Sequence, residues 1–290
     1  PPSLGPLLTF ADRVRPDEDP YSSTAIIVLY HPATKKALAT FHLFPQPNSL
    51  SWPLQAGLPH CVVADAAQIL AANKPGVLVR VTDARLIAPL IREVPRLAIV
   101  PSNDAQALLS GRYFYFVEKP NGDGYPDQYN TLQKFAQWTP PLALPAHWTL
   151  DNRPPENYPT SLFGTAAANY SKVKDGECLL TGASSRLDSS HLIPNSEYDW
   201  FEANGMLTGP GTKEVISGPP NLISLRADLN GPSFDQGEFV IVPVEGKAVC
   251  FFIKGNSRDV TKQAHARVVP LPGRIDLVNL YIRFAWNIFK

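Results

Sequence analysis

The sequence predicts an α+β fold, in which a mixed α/β part precedes a part where two strands lead into a helix. Three observations support this class. Short apolar runs alternate with helical patterns in the first half, prolines cluster near the middle, and the chain closes on a strand hairpin and an apolar helix. With 290 residues, 44% of them hydrophobic, the chain can form one large domain or two ordinary ones.

The first half shows strand and helix signals in alternation. Strands are predicted at residues 24–30, 37–44, 76–81, 98–101 and 113–118, the first two as a hairpin across a polar turn. Helices are predicted at 63–73, where Ala and Leu recur at helical spacing before Lys74-Pro75-Gly76, and at 103–110. This half contains no catalytic signature.

Six prolines fall within the twenty residues from Pro140 to Pro159. Proline disrupts helices and central strands, so this segment is predicted to be a linker or an extended surface crossing. We therefore predict a boundary between an N-terminal α/β domain, residues 1–150, and a second domain, residues 151–290. The role of the first domain is unknown, and contact with a protein partner is one candidate.

The second domain begins with a predicted helix at 162–173. A strand at Cys178, a strand at His191 and a helix bearing Asn221 and Asn230 follow, with residues 199–220 as a loop excursion. Residues 238–244 and 247–253 are predicted to form a hairpin across Glu245-Gly246. The final helix, from Asp276, is apolar nearly all round, so we expect it to be buried.

Charge and cysteine usage limit the classes of function. Lys plus Arg equals Asp plus Glu at 26 each, so no overall field attracts a polyanion. Three cysteines without a Cys-x-x-Cys pair argue against a disulfide framework or a zinc cluster and favour an intracellular location, in cytoplasm or nucleus. No apolar run reaches the length of a membrane span. The sequence opens on Pro1-Pro2 without an initiator Met, which leaves secretion open.

Two segments contain the residue types that hydrolysis of a phosphodiester needs. The segment from Ser190 to Pro194 places His191 on a short strand, where an imidazole can activate a water molecule. The segment from Asn221 to Asn230 supplies polar side chains that can hold a divalent cation against a phosphate. Taken singly, such a histidine is usually structural and such an asparagine is usually a helix cap.

The sequence around these two segments indicates that they belong to one longer motif. The matching stretches are Cys178 to Gly182, Ser190 to Pro194, Glu197 to Met206, Asn221 to Asn230, Phe234-Asp235 and Tyr281 to Phe289. In this order they resemble the HNH endonuclease-like proteins found mostly in fungi. The resemblance implies a ββα-metal (HNH-like) domain with a C-terminal β-hairpin and buried helix. One position departs from the family pattern, because Asn230 stands where the last histidine belongs.

The resemblance also implies roles for individual residues. His191 would be the general base, Asn221 would fix the loop by backbone hydrogen bonds, and Asn230 would occupy the position of a metal ligand. We expect these three side chains to converge on one pocket. Ser190 replaces the usual acidic ligand, and Asp188, on the same strand face, is the candidate substitute. Oxygen ligands favour Mg²⁺ or Mn²⁺ over Zn²⁺.

Two arginines are candidate contacts to the substrate phosphate, Arg226 and Arg186. For Arg226 the alternative is a salt bridge with Asp228 or Glu202. His265 is either part of the site or structural, and Trp200 and Phe201 either stack on bases or belong to the core.

The predicted function is a divalent-metal-dependent HNH-type endonuclease that hydrolyses phosphodiester bonds of DNA, with RNA as a second substrate class. The alternative is a catalytically degenerate HNH scaffold, a pseudonuclease, that serves protein recognition or regulation. Neutral overall charge and the residues at positions 190 and 230 favour the alternative.

Overall fold

The computed structural model describes residues 25–44, 57–81, 99–100, 107–119, 128–206, 216–254 and 258–290. Helices and sheets of both parallel and antiparallel strands occur within these ranges, in agreement with the α+β class. None of the described helices is long and apolar enough to cross a membrane.

A four-stranded sheet forms the centre of the N-terminal half. Its strands are β1 (Ile26–Tyr30), β2 (Ala37–His42), β4 (Gly76–Val81) and β6 (Gly111–Val117), in the order β2-β1-β6-β4. The predicted hairpin of β1 and β2 is confirmed, with antiparallel pairing. The central pair β1 and β6 is parallel, and β4 adds to β6 in the antiparallel sense.

Helix α1 (His60–Leu70) covers this sheet and confirms the predicted helix, shifted by three residues. It begins after Pro59, whose extended backbone belongs to β3 (Leu58–Pro59). It ends because Ala72 and Asn73 both adopt a left-handed backbone, with φ of 56° and 61°.

Two predictions in this half were wrong in part. Residues 107 and 108, the end of the predicted helix, form strand β5 (Ala107–Leu108), which pairs with β3; residues 101–106 lie outside the described part of the chain. Burial of Leu108 against the core outweighs its local helical preference. The predicted strand at 98–101 lies within the described part of the chain only at residues 99 and 100, where Ile99 forms a single bridge with Val79.

The C-terminal half contains the remaining elements. In chain order these are α2 (Gly164–Asp175), β7 (Leu187–His191), α3 (Tyr198–Ala203), β8 (Leu222–Arg226), α4 (Ala227–Leu229), β9 (Phe239–Val244), β10 (Lys247–Phe252), α5 (Arg258–Ala264), β11 (Arg267–Val268) and α6 (Leu277–Phe289). The predicted hairpin is confirmed as β9 and β10, and β11 adds to β10. Helix α4 continues directly into a π-helical turn, Asn230–Phe234.

The two strands before the helix differ from the predicted ones. The Cys178 segment is a turn, closed by a hydrogen bond from Gly182 N to the Cys178 carbonyl. Asn221 ends a 3₁₀ turn, and strand β8 lies between it and Asn230. Strand β8 pairs antiparallel with β7, because its apolar side chains are fully buried in that position. The strand pair is therefore β7 and β8, and Asn221 and Asn230 lie on opposite sides of β8 in the sequence instead of on one helix.

The buried apolar cluster continues across the predicted domain boundary. Trp138 stacks on Trp200, and Trp148 packs edge-on against Tyr281 of α6. The Trp200 indole also donates a 2.7 Å hydrogen bond to the Trp138 carbonyl. The proline-rich residues 140–159 form no helix or strand, as their composition requires. The division at residue 150 stays a prediction.

Helix α6 confirms the predicted buried terminal helix. The Asp276 carboxylate caps its first turn by accepting a 2.8 Å hydrogen bond from Val278 N. Most of its side chains are buried, among them one arginine, Arg283. The helix packs against β9 and thereby closes the region where β7 ends.

Candidate active site

His191 is the last residue of β7 and faces an open cavity of about 330 Å³, named here the His191 cavity. The lining residues are Ser189, Ser190, His191, Pro194, Asn195, Ser196, Asn230, Asp235, Trp286 and Lys290. The His191 ring makes no hydrogen bond to any described residue, although it is half-buried. Its nitrogens are therefore available to a water molecule or a substrate.

The protonation of His191 follows from this environment. Burial lowers the pKa of the imidazole below its ordinary value of 6.5, and the carboxylates of Asp235 and Asp188 offset part of that effect. The ring is therefore neutral at pH 7 and has a free lone pair. A neutral imidazole with an unoccupied nitrogen is what general-base catalysis requires.

Asp188, Ser190 and Asn230 form a hydrogen-bonded network beside His191. Alternate residues of β7 place Asp188 and Ser190 on one face, as the strand period predicts. The Asn230 amide Nδ2 donates a 2.8 Å hydrogen bond to Asp188 Oδ2, and Ser190 Oγ donates at 2.7 Å to Asn230 Oδ1. His191 and Asn230 thus line the same cavity, and Asp188 contacts Asn230 without lining the cavity itself.

Asn221 is buried behind the loop that follows His191 and does not line the cavity. Its Oδ1 accepts a 2.8 Å hydrogen bond from Ile193 N, and its Nδ2 donates at 3.0 Å to Ile193 O. A third bond, 2.7 Å long, reaches the Ile216 carbonyl. The expectation that both asparagines share a pocket with His191 is therefore corrected: Asn221 holds the backbone of the loop, because its amide is fully engaged there.

Residues 178–242 match the family model described as HNH endonuclease. This HNH segment contains β7, β8 and α4, and with them His191, Asn221 and Asn230. It supports an HNH nuclease domain in this part of the chain, and HNH domains generally use a divalent metal ion. Neither the curated proteins nor the solved structures gave a match to the chain.

The two predicted phosphate-binding arginines of the HNH segment do not line the His191 cavity. Arg226 pairs with Leu187 at the far end of the β7 and β8 ladder, and its Nε donates a 2.9 Å hydrogen bond to Asp228. The salt-bridge alternative for Arg226 therefore describes its contacts. Arg186 is exposed, directly before β7, with its side chain outside the cavity.

Two charged residues that line the cavity were not assigned to the site from the sequence. Asp235 follows the π-helical turn, and its backbone N donates a 2.9 Å hydrogen bond to the Asn230 carbonyl. Lys290 Nζ donates at 2.9 Å to the Asp235 carbonyl and lies 4.4 Å from the Trp286 ring centroid. Phe234-Asp235 belongs to the matching motif and could have drawn attention to Asp235, whereas no local pattern marks Lys290.

Other residues considered from the sequence have structural surroundings. His265 is completely buried, and its Nδ1 accepts a 3.1 Å hydrogen bond from Phe252 N. Burial lowers the pKa of its imidazole to about 3, so it stays neutral. Trp200 and Phe201 are buried in the core. The structural alternative therefore describes all three residues.

Two oxygen donors of the HNH segment are the candidates for holding a divalent cation, and in the structure both take part in the hydrogen bonds that join Asp188, Asn230 and Ser190. Asp188 offers a carboxylate and Asn230 an amide oxygen, and no group of three or more His, Cys, Asp or Glu side chains able to hold a metal occurs among the described residues. Mg²⁺ and Mn²⁺ accept such oxygen ligands and retain water in their remaining positions, whereas a structural Zn²⁺ site needs about four nitrogen or sulfur ligands.

Proposed function

We propose that the chain is a divalent-metal-dependent HNH-type endonuclease that hydrolyses phosphodiester bonds of DNA, with RNA as the second substrate class. One observation supports this most directly: a neutral imidazole without hydrogen bonds to any residue in the described ranges shares a cavity with Asn230, within the segment that matches the HNH endonuclease model. The kinship with fungal HNH-like proteins is part of the same proposal and rests on the sequence motifs.

In this mechanism, His191 accepts a proton from a water molecule in the cavity. The water oxygen forms a bond to phosphorus as the bond from phosphorus to the 3′ oxygen breaks in line. Asp188 and Asn230 would hold a divalent ion, which would supply electrostatic stabilisation of the negative charge on the phosphate and the leaving oxygen. Asn221 fixes the loop after His191, and Lys290 is the cation placed to contact a phosphate oxygen.

One observation favours the second candidate, a pseudonuclease. Asn230 and Asp188 satisfy each other by a hydrogen bond, so the network is complete without an ion. In that case the HNH segment is a scaffold for recognition, and the N-terminal half supplies contacts to a protein partner. An intracellular location is proposed for either function, because Cys61, Cys178 and Cys250 are buried and none of them forms a disulfide bond.

Plasmid cleavage separates the two candidates. Supercoiled DNA is incubated with wild type, His191→Ala and His42→Ala in Mg²⁺, in Mn²⁺ and in EDTA. His42 lies on β2, away from the cavity, and is the matched histidine control. We expect nicking that requires metal, disappears in His191→Ala and persists in His42→Ala. Absence of cleavage in Mg²⁺, Mn²⁺ and Ni²⁺, with no heat of metal binding, would establish the scaffold instead.

A further inference from the structure

Arg283 is a buried cation on helix α6, outside the segment that matches the HNH model. Its side chain reaches two backbone carbonyls of residues that adjoin, in sequence, residues lining the His191 cavity. Nη1 donates a 3.4 Å hydrogen bond to Leu192 O, and Nη2 donates to Phe234 O. Leu192 directly follows His191, and Phe234 directly precedes Asp235. One guanidinium therefore joins the segments that present the two residues.

Aromatic rings fix the plane of this guanidinium. Its central carbon lies 3.7 Å from the Phe234 ring centroid and 4.5 Å from the Trp286 ring centroid. Both distances are within the range of cation–π attraction. The planar group thus has contacts on ring faces as well as at its donors, which restricts it more than a lysine ammonium would be restricted.

Burial of Arg283 has a cost that packing alone does not explain. The residue is 2% exposed, its Nε has no hydrogen-bond partner among the described residues, and burial lowers its pKa to about 9, with Asp235 offsetting part of the effect. An apolar side chain of similar length would avoid the loss of hydration. The two carbonyl contacts are what such a side chain could not provide.

The loop after His191 is held from two sides. Asn221 binds it from the β8 side, through the bonds to Ile193 and through its carbonyl, which accepts a 2.8 Å hydrogen bond from Leu192 N. Arg283 binds the Leu192 carbonyl from the α6 side. The same guanidinium holds the end of the π-helical turn that begins at Asn230.

We propose that Arg283 is a positioning residue, which fixes the His191 loop against the turn bearing Asn230 and Asp235 and so orients the imidazole toward the substrate phosphate. The proposal rests on the proposed nuclease function for its consequence in catalysis. The orientation of the His191 ring, which is the structural part of the proposal, can be measured without DNA cleavage.

Three variants test this role. Arg283→Met keeps the length and removes all donors, and Arg283→Lys keeps a charge able to reach one carbonyl. Asn287→Ala is the matched control, because Asn287 is also buried on α6 and donates to the Phe239 carbonyl, which belongs to β9 and not to the cavity. Near-ultraviolet circular dichroism and thermal unfolding identify which variants fold.

The first measurement is the separation of kcat from KM on a DNA substrate. Misplacing a catalytic group by about 1 Å can reduce the rate about 100-fold. We expect Arg283→Met to lower kcat by about 10-fold to 100-fold with KM nearly unchanged, because Arg283 does not line the cavity. Arg283→Lys should recover part of the loss, and Asn287→Ala should keep the wild-type kcat.

The second measurement does not depend on cleavage. The imidazole cross-peak of His191 in a ¹H–¹³C spectrum, assigned by its loss in His191→Ala, should move in Arg283→Met, move less in Arg283→Lys and stay in place in Asn287→Ala. An unmoved cross-peak in folded Arg283→Met overturns the proposal; Arg283→Gln replaces Arg283→Met should the latter not fold. If wild type does not cleave DNA, the nuclease function fails while the spectrum still tests the positioning role.

Discussion

The side-chain amide of Asn230 donates a 2.8 Å hydrogen bond to the carboxylate of Asp188. This bond joins helix α4 and its π-helical turn to strand β7. A cation held by both residues has to displace the bond, so binding of the ion competes with an interaction already made within the protein.

Replacement of Asn230 by histidine should strengthen binding of transition metals. A neutral imidazole adds a nitrogen ligand and removes the amide donor that occupies Asp188, and nitrogen ligands favour Ni²⁺ and Zn²⁺ over Mg²⁺. Isothermal titration of Asn230→His should therefore show at least about a 10-fold gain for Ni²⁺ and little gain for Mg²⁺.

Asn195→His is the control for this titration, because Asn195 lines the same cavity without a bond to Asp188. An equal gain in both variants, or none in either, would mean that positions 188 and 230 do not form the ion site.

The sequence predicted the core of the site well where contacts follow local periodicity. Asp188 and Ser190 share a face because side chains alternate along a strand, and His191 follows at the strand end. The hairpin of β9 and β10 and the buried helix α6 likewise follow from short patterns.

Other parts of the site depend on packing between distant segments. The sequence predicts a helix where strand β8 lies, because only the pairing with β7 and the burial of its side chains decide the conformation of this segment. Lys290 and Arg283 reach the cavity region only through the way α6 packs on β9, which no local pattern specifies. The sequence therefore offered Arg226 as a candidate phosphate contact, whereas its contacts are those of the alternative, a salt bridge with Asp228.

Lys290, rather than Arg226, should contribute to binding of nucleic acid. Lys290 lines the cavity, whereas Arg226 is outside it and paired with Asp228. Fluorescence anisotropy with a duplex oligonucleotide in EDTA should show weaker binding by Lys290→Ala, with the slope of log K against log salt reduced by about one. Arg226→Ala should bind as wild type does. A larger loss in Arg226→Ala would reverse this assignment.

His265 should make the fold sensitive to acid. The pKa of its imidazole is about 3 in the folded chain, below its ordinary value of 6.5, so the unfolded chain takes up a proton that the folded chain does not. The stability that the neutral ring contributes is present above about pH 6.5 and is lost as the pH falls toward 3. Urea unfolding should show a smaller decline of the unfolding free energy between pH 7 and 4.5 in His265→Gln than in wild type.

Glutamine retains an acceptor for Phe252 N, so the substitution removes the titrating group without deleting that contact. His42→Gln is the comparison, because His42 is only partly buried. The unfolding free energy of His42→Gln should fall between pH 7 and 4.5 by as much as that of wild type. An equal fall of the unfolding free energy with pH in wild type and in His265→Gln would show that His265 is not the source of acid sensitivity.

The most direct test of His191 as general base is the single-turnover rate of DNA cleavage in Mg²⁺ as a function of pH, for wild type and His191→Ala. Burial lowers the pKa of the His191 imidazole, so the wild-type rate should rise with pH, pass its half-maximum below pH 6.5 and then level off. His191→Ala should be slower by about 100-fold or more and lack this inflection. Cleavage by His191→Ala at the wild-type rate, with the same inflection, would contradict the assignment.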